Sequence, residues 1–204
     1  MANSRKPPAE VFLNVPYDQK FERLFLGFIA GISAFGLVPR ATLEITSSTR
    51  RLDRILILMR DCQYSVHDLS RVELDSVAPR TPRFNMPFEL GLSVAHQRGL
   101  TRKKHEWFVF ESKRFRLAKS LSDLNGTDPF IHDGTITGLF RELCTVFRRP
   151  GRQPSVQQMR GIYKELRKNL PIILGQAGSQ SPYNARVFKD LSVIASASAD
   201  RLVP

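Results

Sequence analysis

The residues best suited to chemistry in this 204-residue chain fall in two neighbouring stretches. Ser65-Val66-His67-Asp68-Leu69-Ser70-Arg71 reads as a short buried strand that stops at a polar group. Pro82-Arg83-Phe84-Asn85-Met86-Pro87-Phe88-Glu89-Leu90-Gly91-Leu92 reads as the opening of a helix. Asn85 can act as N-cap, because its side-chain oxygen can accept from an unpaired first-turn amide. Pro87 loses nothing at a first-turn position by lacking an N–H. Glu89 then falls within about the first turn, where the helix dipole favours an anion. At helical spacing Glu89, Ser93 and His96 share one face, and Phe88, Leu92 and Ala95 another. A carboxylate held on a rigid helix beside the carboxyl end of a strand lies where open α/β sheets bind their ligands. The plainer alternative is that Glu89 only complements the dipole of its own helix.

The flanking elements must position these groups. Val11-Phe12-Leu13-Asn14-Val15 is rich in strand formers, and Pro16-Tyr17-Asp18 ends it as a turn. A helix follows from about Gln19 to Ala34, stopped by Gly36. Leu37 to Leu43 suits a second strand, interrupted early by Pro39, with Glu44 just beyond it. Ser47, Ser48 and Thr49 offer caps for a helix from Arg50 to Arg60. The third strand spans Tyr64 to Asp68, the Glu89 helix runs to about Arg98, and Glu106 to Glu111 is the clearest buried strand. A basic helical piece through Leu121, a turn at Asn125 to Pro129, a short strand at Phe130-Ile131-His132 and an amphipathic helix from Thr135 to Arg148 complete the pattern. Strands alternating with helices imply a flavodoxin-like or Rossmann-like parallel sheet of about five strands with helices on both faces. Pro150 to Pro154 reads as a linker. Residues 1–149 therefore form an α/β domain, and residues 150–204 a helical C-terminal extension in pieces broken near Pro171 and at Gly175 to Ser181. Its stripes, Val156-Met159-Ile162-Tyr163-Leu166 and Val187-Leu191-Ile194-Ala195, read as core or oligomer contacts.

Composition narrows the function. Hydrophobic content of 42% and charged content of 25% suit a globular chain with a sizeable core. No apolar run reaches membrane-spanning length, and the polar start Met1 to Pro8 lacks a signal-peptide core. The two cysteines, Cys62 and Cys144, sit in apolar contexts without metal-ligand spacing, which suits free thiols in a reducing, cytoplasmic compartment. The net charge of +12 favours a phosphate-bearing partner. The basic residues are dispersed, with clusters at Arg102-Lys103-Lys104 and Arg148-Arg149, so nucleic acid is only weakly indicated. No Gly-x-Gly-x-x-Gly, Walker loop or Gly-x-Ser-x-Gly elbow occurs. His67, His96, His105 and His132 are not spaced as metal ligands, so no metal site is expected.

What remains is a set of polar residues at strand ends: Asn14, Tyr17 and Asp18 after strand one, Glu44 after strand two, Asp68, Ser70 and Arg71 after strand three, then Arg83, Asn85 and Glu89. In a parallel sheet all converge on one edge. Asp68 reads equally as a turn residue, Tyr17 and Asp18 as plain turn residues, Arg71 and Arg83 as surface, and His67 as a satisfied core histidine. Arg51-Leu52-Asp53-Arg54 reads as a solvated helix face.

Asp68-Leu69-Ser70, a loop, then Asn85-x-x-Phe88-Glu89-Leu90-Gly91 resembles the pattern of nucleoside 2-deoxyribosyltransferases and bacterial TIR-like nucleotide-binding domains, as does Phe12-Leu13-Asn14-Val15-Pro16-Tyr17-Asp18. The resemblance spans roughly residues 10 to 148 and departs from the transferases in the long segment Val72 to Pro82. It implies cleavage or transfer of an N-glycosidic bond in a nucleotide, NAD hydrolysis foremost, with the nucleotide as substrate and no further cofactor. Glu89 would act at C1′ as nucleophile or as stabiliser of the sugar cation, and Asp68 with Asn85 would position the ribose. Asn14, Tyr17, Asp18, Ser70, Arg71 and Arg83 complete the binding set. It further implies a role in antiviral defence and a homo-oligomer assembled through the helical tail. The alternative is a module of the same fold that senses a nucleotide without turning it over.

Overall fold

The computed structural model describes residues 7–45, 50–74, 78–99, 105–148 and 151–203. The expected caps Ser47 to Thr49, the cluster Arg102 to Lys104, and Arg149 and Pro150 lie outside them. Five strands, β1 (Glu10–Asn14), β2 (Val38–Arg40), β3 (Tyr64–Asp68), β4 (Glu106–Glu111) and β5 (Phe130–Ile131), form one sheet in the order β2-β1-β3-β4-β5. Every pairing is parallel. This is the flavodoxin-like α/β arrangement that the alternation of strands and helices predicts.

The helices are α1 (Glu22–Ala34), α2 (Arg51–Asp61), α3 (Asn85–Gly99), α4 (Arg116–Ser120), α5 (Ile136–Val146), α6 (Val156–Ala177) and α7 (Ala185–Leu202). On one face of the sheet, Val11, Leu13 and Val66 share a core with α1, α5, α6 and α7. On the other, Phe12 packs on α2, while Leu69 and Val109 pack on α3 and α4. In α1, 11 of 13 residues are buried. A helix apolar on all sides needs cover on all sides, and α1 has it, with the sheet beneath and the α6–α7 hairpin above. Both tail stripes are consumed here: Met159, Ile162, Leu166, Val187, Leu191 and Ala195 are fully buried. Gly27 and Gly31, one turn apart on α1, admit α5 closely; a Cβ on Gly27 would lie 2.9 Å from Leu139.

Three boundaries differ from expectation. β2 stops at Arg40, and Thr42–Glu44 coils into a 3-10 turn closed by Glu44, whose carboxylate accepts from the Ala41 N–H at 2.8 Å. Pro39 stays within β2, as an edge position permits. Helix α3 begins at Asn85 itself, so Asn85 is a first-turn residue rather than the N-cap and Glu89 lies in the second turn. Finally, α6 runs straight through Pro171. Leu170 and Ile173, buried on either side of it, hold the helix against the core despite the lost backbone bond.

Phe188 of α7 is fully buried, its ring 5.9 Å from that of Phe25 in α1. Replacing it by Ala is expected to destabilise the whole domain by about 3–5 kcal/mol, measured by urea unfolding. A second transition confined to the tail, with the main transition unmoved, would contradict the single shared core.

Candidate functional site

In a sheet of order 2-1-3-4-5 the chain leaves β1 toward one side and β3 toward the other, so a crevice opens between their carboxyl ends. The loop after β1 and the opening of α3 enclose a cavity of about 130 Å³ there, lined by Val15, Pro16, Tyr17, Arg51, Arg71, Arg83, Asn85 and Met86. A second cavity of about 370 Å³ shares Arg71 and Arg83 and adds Asp18, Gln19, Lys20, Glu73 and Leu74. Phe84 and Phe88, at 68% and 57% exposure, stand nearby at the start of α3. Another cavity of about 290 Å³ lies beside α4 and β5. It is lined by none of the expected residues, and the buried carboxylate beside it, Glu111, is already held by Arg116, so the crevice is the better site.

Glu89 lies one turn past Asn85, on the inward face of α3, and only 4% of it is exposed. That face is polar: Ser93 is fully buried behind Glu89, and the His96 ring meets the His105 ring at 5.4 Å. Burial raises the Glu89 pKa to about 7, opposed by the Arg51 guanidinium, whose Nη2 lies 3.4 Å from Oε1. A carboxylate poised near neutrality beside an arginine-lined cavity is the type of perturbed group that marks functional sites.

The strand beneath supplies matching polarity. Asn14 and His67 are register partners in β1 and β3, and the Asn14 amide donates to His67 Nδ1 at 2.8 Å. His67 therefore carries its proton on Nε2 and donates to Ser65 Oγ at 2.9 Å. Ser65 donates in turn to His105 Nε2 at 3.0 Å, and His105 Nδ1 donates to the Cys62 carbonyl at 2.9 Å. The reverse polarity would need a doubly protonated His105, which burial disfavours by lowering its pKa. Burial holds His67 neutral too, with its pKa near 3. His67 is thus a satisfied core histidine, and the chain of bonds fixes Asn14 at the floor of the crevice.

The structure gathers some of the expected residues and separates others. Tyr17, Arg71, Arg83 and Asn85 line the cavity; Asn14 and Glu89 do not line it, Asn14 preceding the lining residue Val15 and Glu89 meeting the lining residue Arg51. Tyr17 hydrogen-bonds Thr42 Oγ1 at 3.3 Å and packs its ring, tilted by 31°, against that of Tyr183 at 5.2 Å; burial pushes its pKa up to about 12. Asp18 caps the 3-10 turn Gln19–Phe21 and receives Arg71 and Arg83, each at 3.3 Å. Asp68 and Ser70 are placed elsewhere. Alternation along β3 turns Asp68 away from α3, and it is fully buried. Its Oδ1 accepts from the Ser70 N–H at 2.9 Å and from the Ser70 hydroxyl, and its Oδ2 accepts from His132 Nε2 at 3.0 Å. His132 Nδ1 accepts from the Gly134 N–H at 2.9 Å, which fixes that neutral tautomer. Here Asp68 ties the end of β3 to the turn after β5.

Three contributors carry no local signal. Arg51 reaches Glu89 from another helix, 38 residues away in sequence. Tyr183, from the turn between α6 and α7, donates to the Asp18 carbonyl at 2.7 Å. Glu111, 1% exposed, is held by Arg116, which also bonds the carbonyls of Leu69 at 3.3 Å and Ser70 at 2.8 Å. That contact braces the loop after β3.

The raised pKa of Glu89 has a thermodynamic consequence. The folded protein binds more protons than the unfolded chain between the ordinary value of 4.5 and about 7, so stability falls as pH rises through that window. Relative to Glu89→Gln, which cannot titrate, the parent is expected to lose about 3 kcal/mol between pH 4 and pH 8. Denaturant unfolding at both pH values measures it, and a pH-independent difference would contradict the burial of a titrating carboxylate. No family model, curated protein or solved structure matches the chain.

Proposed function

We propose that the crevice binds a nucleotide and cleaves its N-glycosidic bond, with NAD as the first substrate to test. The observation that carries the reading is the buried Glu89 carboxylate, its pKa about 7, set against a cavity lined by Arg51, Arg71 and Arg83. Breaking the bond sends its electron pair to the base and leaves positive charge on the ribosyl ring, which a fixed carboxylate in a dry site stabilises. With NAD the base departs as neutral nicotinamide, because its nitrogen is cationic in the substrate. Water then adds at C1′ and releases a proton. Glu89 must be ionised for this role. Asn85, which lines the smaller cavity, would bind a ribose hydroxyl, and Arg71 with Arg83 would bind phosphate oxygens. The smaller cavity alone is below the range of about 300–1,000 Å³ typical of ligand sites, whereas the pair sharing Arg71 and Arg83 falls within it.

The resemblance to TIR-like and deoxyribosyltransferase-like domains supports the same reading and extends it to antiviral defence. Self-assembly through the tail belongs to this proposal too. It would draw on outward residues such as Ile172 and Val193, since the apolar stripes already face α1. The second reading, a sensor that binds without turnover, uses the same residues. The observation on its side is that Glu89 already has a partner in Arg51, at 3.4 Å.

Chromatography of base released from NAD and from a nucleoside and nucleotide panel, at high protein concentration, tests both. The enzyme reading expects release by the parent that rises with pH through about 7 and falls at least about a hundredfold in Glu89→Gln. Tight binding of one compound without release from any would favour the sensor. Neither binding nor release would overturn both.

A further inference from the structure

We infer that Asp18 is an internal stand-in for a ligand phosphate, so that the larger cavity selects phosphoanhydride-bearing ligands over nucleosides; the inference rests on the nucleotide reading above. The Asp18 carboxylate is shared by Arg71 Nε and Arg83 Nη1, both at 3.3 Å on the same oxygen, Oδ2. Charge-assisted bonds close to about 2.7–2.9 Å when well formed, and a guanidinium prefers two oxygens at once. Both contacts are therefore loose and single. Asp18 cannot improve them, because it is pinned at its other atoms. Its Oδ1 accepts from the Phe21 N–H at 3.1 Å, and its carbonyl accepts the Tyr183 hydroxyl. The arginines are the movable partners, 28% and 47% exposed.

The rest of the cavity has cationic charge to spare once Asp18 is displaced. Glu73, the other acid lining it, already faces Lys113 at 3.4 Å and Arg116 at 3.6 Å and only grazes Arg71 at 3.9 Å. Lys20 has no acidic partner among the described residues. Arg71, Arg83 and Lys20 thus surround about 370 Å³ with one weakly held counter-ion. A pyrophosphate group offers each guanidinium paired oxygens and carries more charge than one carboxylate, so it outcompetes Asp18. A nucleoside offers neither and leaves the two arginines on Asp18.

Calorimetry with inorganic pyrophosphate at fixed ionic strength tests this on the full chain. Asp18→Asn keeps an oxygen to cap the Phe21 amide while removing the charge. Asp18→Ser keeps a cap but is too short to reach the arginines. Both are expected to bind pyrophosphate about tenfold more tightly than the parent, equivalent to about 1.4 kcal/mol. Arg71→Gln and Arg83→Gln are expected to bind it at least about tenfold more weakly. Unchanged or weaker binding by both folded Asp18 variants would overturn the stand-in role. Absence of pyrophosphate binding in every protein would overturn it as well, even if Glu89-dependent base release were found. The expected affinities without any base release would leave this inference standing and remove the glycosidase reading.

Discussion

Beside its apolar contact through Met86 and Leu90, helix α3 meets the sheet through buried polar side chains, and this constraint sets the rest of the site. Ser93 meets Ser65 at 3.4 Å, and Glu89 is buried one turn before it, in a seam where an α/β protein ordinarily places aliphatic residues. A buried polar seam holds only when its donors and acceptors are matched, since an unmet partner forfeits the desolvation cost of the group. Matching here is directional. The Asn14 amide fixes the His67 tautomer, His67 fixes the Ser65 hydroxyl, and Ser65 ends on His105. Glu89 is the one carboxylate that α3 brings to this seam. Burial makes its charge unfavourable, and Arg51 relieves that only in part across 3.4 Å.

The second organising feature is the double cover on α1. Because that helix is apolar all round, the α6–α7 hairpin is required by the fold, and its turn brings Tyr183 onto the loop after β1. Tyr183 packs against the rings of Tyr17 and Phe25 and holds the Asp18 carbonyl, so the C-terminal helices help set the crevice wall. The loop after β3 is braced independently, by Arg116 on Glu111 and by Asp68 on His132. Crevice walls held from both sides suit a site that must keep charged groups in fixed places.

Much of this was legible in the sequence, because it follows from local periodicity. The alternation of strands and helices gives the parallel sheet, and Glu89-x-x-x-Ser93-x-x-His96 marks one helical face before anything shows that the face points inward. What escaped is tertiary. Arg51 looks like a solvated helix residue until α2 is set beside α3. Asp68 looks like a ligand residue until its alternation in β3 turns it toward His132, 64 residues on. Pro171 looks like a helix break, and only the burial of Leu170 and Ile173 explains why it is not. Asn85 shifts by one position, from cap to first turn, and this aims its side chain at the cavity.

The central claim is that Glu89 faces the reacting carbon of a nucleotide held between the ends of β1 and β3. A crystal structure of Glu89→Gln grown with NAD tests it most directly. The account predicts the ribose C1′ beside the side chain at position 89, with the pyrophosphate on Arg71 and Arg83. Nucleotide bound elsewhere, or a crevice empty at saturating NAD, would contradict it.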